Sequence, residues 1–258
     1  MIPAQRRLDI LQLLKAQKSS SIIDLSARYA VSEMTIRRDL KTLEDEGHVK
    51  CTHGGAIYMT PPVQVEPAYT LKASVNTAQK TRIARFAAQH FVEDDDTIAL
   101  EAGTTVGAMV PFLIDKRNLT VVTNGLRTTN LLESHHIDGT MICTGGILRG
   151  MSSTFVGPTA EQFFREFHVK KLFLSGIGFT LDAGLTDPQV IDTQVKKAMI
   201  AAAEQVILLI DSSKFGVNSL VQVLPIHNIT TVITDYSAAP DFLAALRALR
   251  ITVFTVVE

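Results

Sequence analysis

Between Asp94 and its C-terminus this chain alternates short, continuous apolar runs with stretches of helical period, and few architectures accept that order. The runs cover residues 97–101, 119–123, 140–143, 171–175, 205–210, 231–234 and 252–256. Helical patterns lie between them near 105–113, 126–134, 159–167, 191–203 and 241–249. A strand that is apolar on both faces must be covered on both, and helical crossovers supply that cover. The order therefore predicts a mainly parallel α/β sheet.

The first 58 residues follow a different rhythm. Leu8, Leu11 and Leu14 repeat near the helical period across residues 3–18, and Ile22, Leu25 and Tyr29 mark a second, shorter helix with Ser21 placed to cap it. Ser32 can cap a third helix that runs to about residue 46 and stops at Gly47. Its apolar stripe is Ile36, Leu40 and Leu43. At 100° per residue Met34, Arg38, Lys41 and Asp45 fall opposite, with Arg37 on the flank. Residues 48–58 read as extended, with a turn at Gly54-Gly55, and the segment holding Pro61, Pro62 and Pro67 reads as a linker. Asn76 stands where it could cap a helix carrying Lys80, Ile83, Phe86 and Ala87. The expected organisation is a small helical module over 1–58, a linker over 59–75 and an α/β domain over 76–258.

Composition limits the function classes. The 258 residues, 46% apolar and 20% charged, have ample material for a core, and the formal net charge of -1 excludes a chain that binds polyanions throughout. Residues 1–58 hold 9 Lys/Arg against 7 Asp/Glu, and residues 59–258 hold 16 against 19, so any nucleic-acid affinity belongs to the first part. Two cysteines, Cys51 and Cys143, point to a reducing compartment without a disulfide framework. The N-terminus lacks the features of a signal peptide. The most apolar later stretch, 198–210, is broken by Glu204 and Gln205 and is shorter than the ~20 residues a bilayer requires. A cytoplasmic, soluble protein is expected. His135, His136 and His168 have no clustered ligand set, so neither metal nor cofactor is expected.

Two constellations carry chemistry. Two helices joined by the tight Ala30-Val31-Ser32 connection let the second enter a DNA major groove while the first braces the backbone. Arg37, Arg38 and Lys41 would neutralise phosphates, and Thr35 with the arginines near the helix start could reach base edges. The plainer alternative is a helical bundle with solvated charges. Asp39 would oppose DNA if it faced outward, which makes pairing with an arginine its expected role. Cys51 reads as a small strand residue. Downstream, three loops follow strands: Glu101-Ala102-Gly103-Thr104-Thr105, Thr123-Asn124-Gly125, and 211–216 with Lys214. Backbone N–H groups at a strand-to-helix turn favour an anion, and ligands gather at the carboxyl ends of such strands. The first loop is neither a P-loop nor a dinucleotide fingerprint, and Gly176-Ile177-Gly178 lacks the third glycine. Each loop alone is ordinary turn chemistry. Together they suggest a small phosphorylated, hydroxyl-rich ligand, with Lys214 facing its phosphate or a carboxylate and Glu101 or Asp192 its hydroxyls.

The stretch VSEMTIRRDLKTLEDEGHVKCTHGGA, with its T-I-R-R-D-L core and closing H-G-G-A, resembles the winged helix-turn-helix signature of DeoR-type bacterial regulators. That resemblance implies a recognition surface of Ser32, Met34, Thr35, Arg37, Arg38 and Lys41, and a wing with Lys50, Thr52 and His53. Cys51 stands where family wings often carry a basic residue. EAGTT, TNG, GGILRGMSSTFVGP, Gly184-Leu185-Thr186 and DSSKFG are similar, in order, to the family's sensor domain, which resembles sugar-phosphate isomerases of the ribose-5-phosphate kind. The implied effector contacts are Glu101, Gly103, Thr104, Thr105, Thr123, Asn124, Arg149, Asp192 and Lys214. Three positions depart from the family's habit: Glu101 for Asp, Gly125 for Ser and Asp192 for Glu.

The resemblance implies a DNA-binding regulator with no catalytic residues, a repressor of a sugar or sugar-derivative catabolic operon. Its implied partners are a double-stranded DNA operator, a phosphorylated sugar effector and further copies of itself as a dimer or tetramer, with no membrane. The alternatives are a ligand-dependent activator, or an isomerase-like enzyme in which Lys214 with Glu101 or Asp192 moves a proton.

Overall fold

The computed structural model describes residues 3–45, 49–52, 54–58 and 66–257, and the chain divides into two compact units, Met1–Val65 and Glu66–Glu258.

The first unit holds α1 (Pro3–Gln17), β1 (Ser19–Ser21), α2 (Ile22–Tyr29), α3 (Glu33–Asp45), β2 (Val49–Cys51) and β3 (Gly55–Tyr58). Ser21 caps α2 as its residue type predicts, its Oγ accepting the Asp24 N–H at 3.0 Å. The helix ends on Ala30, whose φ of 51° is left-handed, and this residue turns the chain into α3. Ser32 Oγ accepts the Thr35 N–H at 3.3 Å. Ile36, Leu40 and Leu43 close a core with Ile10, Leu14, Ile22, Leu25, Val49 and Ala56. The predicted stop at Gly47 lies outside the described residues.

The ribbon gains a strand that helical periodicity could not reveal. β1 pairs antiparallel with β3, which also pairs with β2, giving the order β1–β3–β2. Gly55 makes the pairing possible: a Cβ there would sit 2.2 Å from the Ser20 carbonyl oxygen.

The second unit begins earlier than the expected boundary at residue 76. Residues 66–74 belong to it, with α4 (Tyr69–Ser74) inside the segment read as linker. Proline spacing marked that segment as non-helical, whereas its contacts come from residues far along the chain. There follow α5 (Thr77–Phe91), β4 (Thr97–Leu100), α6 (Thr104–Gly107), β5 (Leu119–Thr123), α7 (Leu126–Ser134) and β6 (Gly139–Cys143). Next come β7 (Ile147–Arg149), β8 (Thr154–Val156), α8 (Pro158–Glu166), β9 (Val169–Leu174), β10 (Gly178–Thr180) and β11 (Gly184–Asp187). The chain closes with α9 (Val190–Ala201), β12 (Ala203–Leu209), β13 (Val221–Leu224), β14 (Thr231–Asp235), α10 (Pro240–Ala248) and β15 (Thr252–Val256).

The seven predicted apolar runs are the seven strands of one sheet, ordered β15–β14–β12–β9–β4–β5–β6 and parallel throughout. Alternate residues serve opposite faces. Ile98, Leu100, Phe173, Ile207 and Leu209 pack beneath α5 and α7, while Ala99, Leu172, Leu174, Leu208 and Ile210 pack beneath α8, α9 and α10. The helix predicted near 105–113 is divided into α6 and a 3-10 turn at Val110–Phe112, because Pro111 has no N–H to continue it. A hairpin, β7–β8, and a small antiparallel sheet, β10–β11–β13, add to the parallel core.

The strand order contains one reversal. From β4 the chain builds outward through β5 and β6, then returns to lay β9 on the other side of β4 and builds away through β12, β14 and β15. Crossovers leave β4 and β9 in opposite directions, so a crevice opens where their carboxyl ends meet.

Candidate functional site

On α3 the surface predicted from the 100° wheel is the exposed one. Ser32, Met34, Arg37, Arg38 and Lys41 stand in solvent, with Met34 61% exposed, and Thr35 is half-buried. Asp39 faces inward and is buried, with Arg6 Nε of α1 at 2.6 Å and Arg7 Nη1 at 3.8 Å. It pairs with arginines as expected, and these come from another helix, which fixes α3 against α1.

The exposed charges rest on near neighbours. Arg37 Nη2 lies 3.9 Å from Glu33, and Lys41 Nζ lies 3.0 Å from Glu44 and 3.2 Å from Asp45. Hydrogen bonds to Glu44 and then Asp45 hold the Lys41 ammonium above its usual range. Glu44 also accepts the Cys51 N–H at 2.8 Å, and this bond, followed by Lys41, keeps its carboxyl low. Burial, then Glu44, pushes the Cys51 thiol up, which leaves it a poor nucleophile and a strand residue tied to α3. Among the described residues no salt bridge engages Arg38. Lys50 and Thr52 are exposed on the ribbon, and His53 lies outside the described residues.

In the second unit a cleft occupies the β4–β9 crevice. Glu101, Gly103, Thr104 and Thr105 line it from the end of β4, Ser175 and Ile177 from the end of β9, Asp192 and Lys196 from α9, and Lys214 from the loop after β12. Glu66, Lys72 and Lys80 close it from the segment once read as linker and from α5. Six of the nine predicted effector contacts meet here. Thr123, Asn124 and Arg149 stand behind the wall. Thr123 Oγ1 donates to the Leu100 carbonyl at 2.7 Å and accepts the Gly125 N–H at 3.0 Å, and Asn124 Oδ1 accepts the Ala102 N–H at 3.1 Å. Asn124 thus holds the 101–103 loop, and Thr123 ties the end of β5 to the end of β4.

The anion-cradle reading of that loop also changes. The Gly103 N–H is taken by Glu101 Oε2 at 3.0 Å and the Ala102 N–H by Asn124, and α6 is one turn long, too short for much of a dipole. The charge of the cleft comes from side chains, with Lys72, Lys80, Lys196 and Lys214 set among Glu66, Glu101, Asp187 and Asp192. Its floor is a buried triad: Lys196 Nζ lies 3.2 Å from Glu101 Oε1 and 2.6 Å from Asp187 Oδ2, and donates to the Ser175 carbonyl at 2.8 Å. Burial works against the Lys196 charge, but Asp187 and Glu101 outweigh it and hold the ammonium protonated. Burial pushes the Glu101 carboxyl up, with Lys196 opposing. Lys80 is different. It is buried, its ammonium donates to the Lys72 carbonyl, and burial lowers it to about 8 against the pull of Asp211, with Lys214 and Lys72 adding to the drop.

Asp192 accepts from Thr154 Oγ1 at 2.8 Å and pairs with Arg149, which also meets Glu66 at 3.1 Å. Both carboxylates proposed for proton transfer, Glu101 and Asp192, thus have each oxygen engaged by a protein donor. Asn76 keeps its place ahead of α5 but does not cap it: its φ is 54° and its Nδ2 donates to Asp211 at 2.9 Å, binding α5 to the Lys214 loop. Sequence reasoning missed Glu66, Lys72 and Lys196 because nothing in local spacing marks a salt bridge to a residue far along the chain. Asp187 was missed for the same reason.

Residues 6–61 match the DeoR-like helix-turn-helix domain and residues 75–236 the DeoR C-terminal sensor domain. The glycerol-3-phosphate regulon repressor of Escherichia coli K12 is 32% identical over 91% of this chain and 92% of its own length. The HTH-type transcriptional regulator GlpR of Haloferax volcanii is 33% identical over 98% of each. The transcriptional repressor AccR of Agrobacterium fabrum is 35% identical over 89% of this chain and 88% of its own. Among solved structures, ribose 5-phosphate isomerase A of Methanocaldococcus jannaschii aligns at 17% identity over 54% of this chain and 55% of that one, with a TM-score of 0.39, too slight an overlap to argue from.

Proposed function

Since the chain belongs to the DeoR family of transcriptional regulators, we propose that it represses a sugar or sugar-derivative catabolic operon and that a phosphorylated sugar in the β4–β9 cleft controls its hold on the operator. The family assignment makes it a DNA-binding regulator, and the relatives that match it nearly end to end are named as regulators, not enzymes. The cleft carries the rest of the reading. Lys72, Lys80 and Lys214 bring ammonium groups to one crevice whose other walls offer Thr104, Thr105 and carboxylates. Ammonium groups suit a phosphate, and hydroxyl and carboxylate groups suit the hydroxyls of a small sugar. The name of the glycerol-3-phosphate regulon repressor, a relative over nine-tenths of both chains, supports an effector of this class.

On this reading α3 presents Met34, Thr35, Arg37, Arg38 and Lys41 to the major groove, with Ser32 at its mouth and Lys50, Thr52 and His53 on the wing. The regulator works in the cytoplasm as a dimer or tetramer, which lets two α3 helices meet repeated half-sites. No helix among the described residues is long and apolar enough to cross a membrane. The ligand must favour one state of the protein over another, since equal affinity for both shifts nothing.

A thermal-shift screen of phosphorylated sugars, followed by gel-shift titration with each hit, tests the proposal. At least one compound should raise the melting temperature and change operator affinity. A broad panel that moves neither operator affinity nor the oligomeric state seen by light scattering would reject it.

A further inference from the structure

The segment that opens the second unit is held mostly by polar contacts. No residue of α4 is fully buried, and only Tyr69 and Ala73 add half-buried apolar area to its charged Lys72. Glu66 is nonetheless only 8% exposed, because its carboxylate is inserted among cations: Oε1 lies 2.5 Å from Lys72 Nζ and Oε2 lies 3.1 Å from Arg149 Nη1. Lys80 Nζ donates to the Lys72 carbonyl, and the Tyr69 N–H donates to the Met151 carbonyl at 2.8 Å. Arg149, Lys72 and Lys80 therefore all spend their charge or protons on residues 66–72.

Arg149 serves a second carboxylate, Asp192, which Thr154 and its place on α9 hold firmly. Glu66 is the exchangeable partner of the two. A phosphate dianion competes well for such donors, offering more charge and more oxygens than one carboxylate.

We propose that Glu66 is an internal anionic competitor for the cleft, and that a ligand phosphate displaces it from Arg149 and Lys72, freeing residues 66–74, which follow the first unit directly in the chain. This rests on the reading of the cleft as a phosphate site. Its consequence is regulatory: occupancy of the cleft becomes mobility at the start of the second unit. The sequence feature is a single glutamate beside Pro67, which spacing alone assigned to a linker.

The test uses the full chain, inorganic phosphate at constant ionic strength, and Glu66→Gln. In the wild-type protein, phosphate should speed backbone hydrogen exchange across residues 66–74. In Glu66→Gln that exchange should already be fast, and calorimetry should show phosphate binding tightened by roughly three- to tenfold, because the competing closed state is gone. Lys80→Met checks that the ion sits in the cleft and should weaken binding in both backgrounds. Phosphate that binds the cleft while exchange at 66–74 stays the same or slows overturns the inference and leaves the phosphate site standing. Equal or weaker binding by Glu66→Gln has the same meaning. Phosphate binding that is absent from both proteins, or untouched by Lys80→Met, overturns both.

Discussion

The charges of α3 and those of the cleft are arranged on opposite principles. On α3 they stand in solvent and lean on residues three or four places away, as Arg37 does on Glu33 and Lys41 on Glu44 and Asp45. At the floor of the cleft they are buried and lean across the fold, as Glu101 does on Lys196. Exposed i,i+4 pairs contribute only ~0.3–0.5 kcal/mol, so a helix can exchange them for DNA phosphates at little cost. Buried pairs cannot be parted singly, since the abandoned partner stays charged away from water. The reading surface is thus built for exchange of partners, and the floor of the cleft for permanence.

The largest test of this contrast is Lys196→Met, which leaves Glu101 and Asp187 buried without their cation. It should cost the second unit about 3–5 kcal/mol in urea unfolding. A loss below about 1 kcal/mol would mean that cleft charges are as dispensable as surface ones, and the contrast would fail. Next in size is Arg38→Ala, expected to weaken operator binding by roughly 1–3 kcal/mol at fixed salt if a base is contacted, with unfolding unchanged. Lys41→Ala should do less and lower the salt slope by no more than about 1, because Glu44 and Asp45 already share its charge. Unaltered gel-shift affinity for Arg38→Ala would remove it from the reading surface.

The smallest expected effect belongs to Lys80, the buried cation of the cleft that burial sets to about 8. Its folded value lies below its ordinary 10.5, so the unfolded chain binds the proton more tightly between the two. Charge on Lys80 therefore opposes folding below about pH 8, and that opposition fades as pH rises toward 10.5. An anion in the cleft responds the other way, losing its cation as pH rises. Between about pH 7 and 8.5 its affinity should fall roughly fourfold, and Lys80→Met should abolish the slope. A flat calorimetric profile in the wild-type protein would separate Lys80 from the ligand.

What could be read from the sequence divides along the same line. Periodicity placed all seven strands of the large sheet and the exposed face of α3, because burial on a strand or helix repeats at fixed spacing. The same logic found Glu101, Asp192 and Lys214, which sit at strand or helix ends where ligands gather. It failed on β1, whose pairing with β3 depends on residues thirty-four or more places later, such as Ser20 with Ala56. It failed on Glu66 and Lys72, which lie in the proline-marked segment and pair with each other and, through Glu66, with Arg149 on a distant hairpin. It also credited the 101–105 loop with free backbone donors, whereas Glu101 and Asn124 had already claimed two of them. Hydrogen bonds that a residue makes with its own loop are invisible to a motif.

The reversal in strand order has a temporal side. β4 sits between β5, which follows it soon in the chain, and β9, whose Lys171 pairs with Ile98, and Glu101 is not neutralised until Lys196 has been added. Long-range pairings of this kind form late, and domains generally fold as units, N-terminal first during synthesis. A chain emerging from the ribosome therefore completes its DNA reader well before its sensor can close. In that interval a finished reader is joined to an unfinished second unit, and the β4–β9 cleft has no floor until α9 has been made.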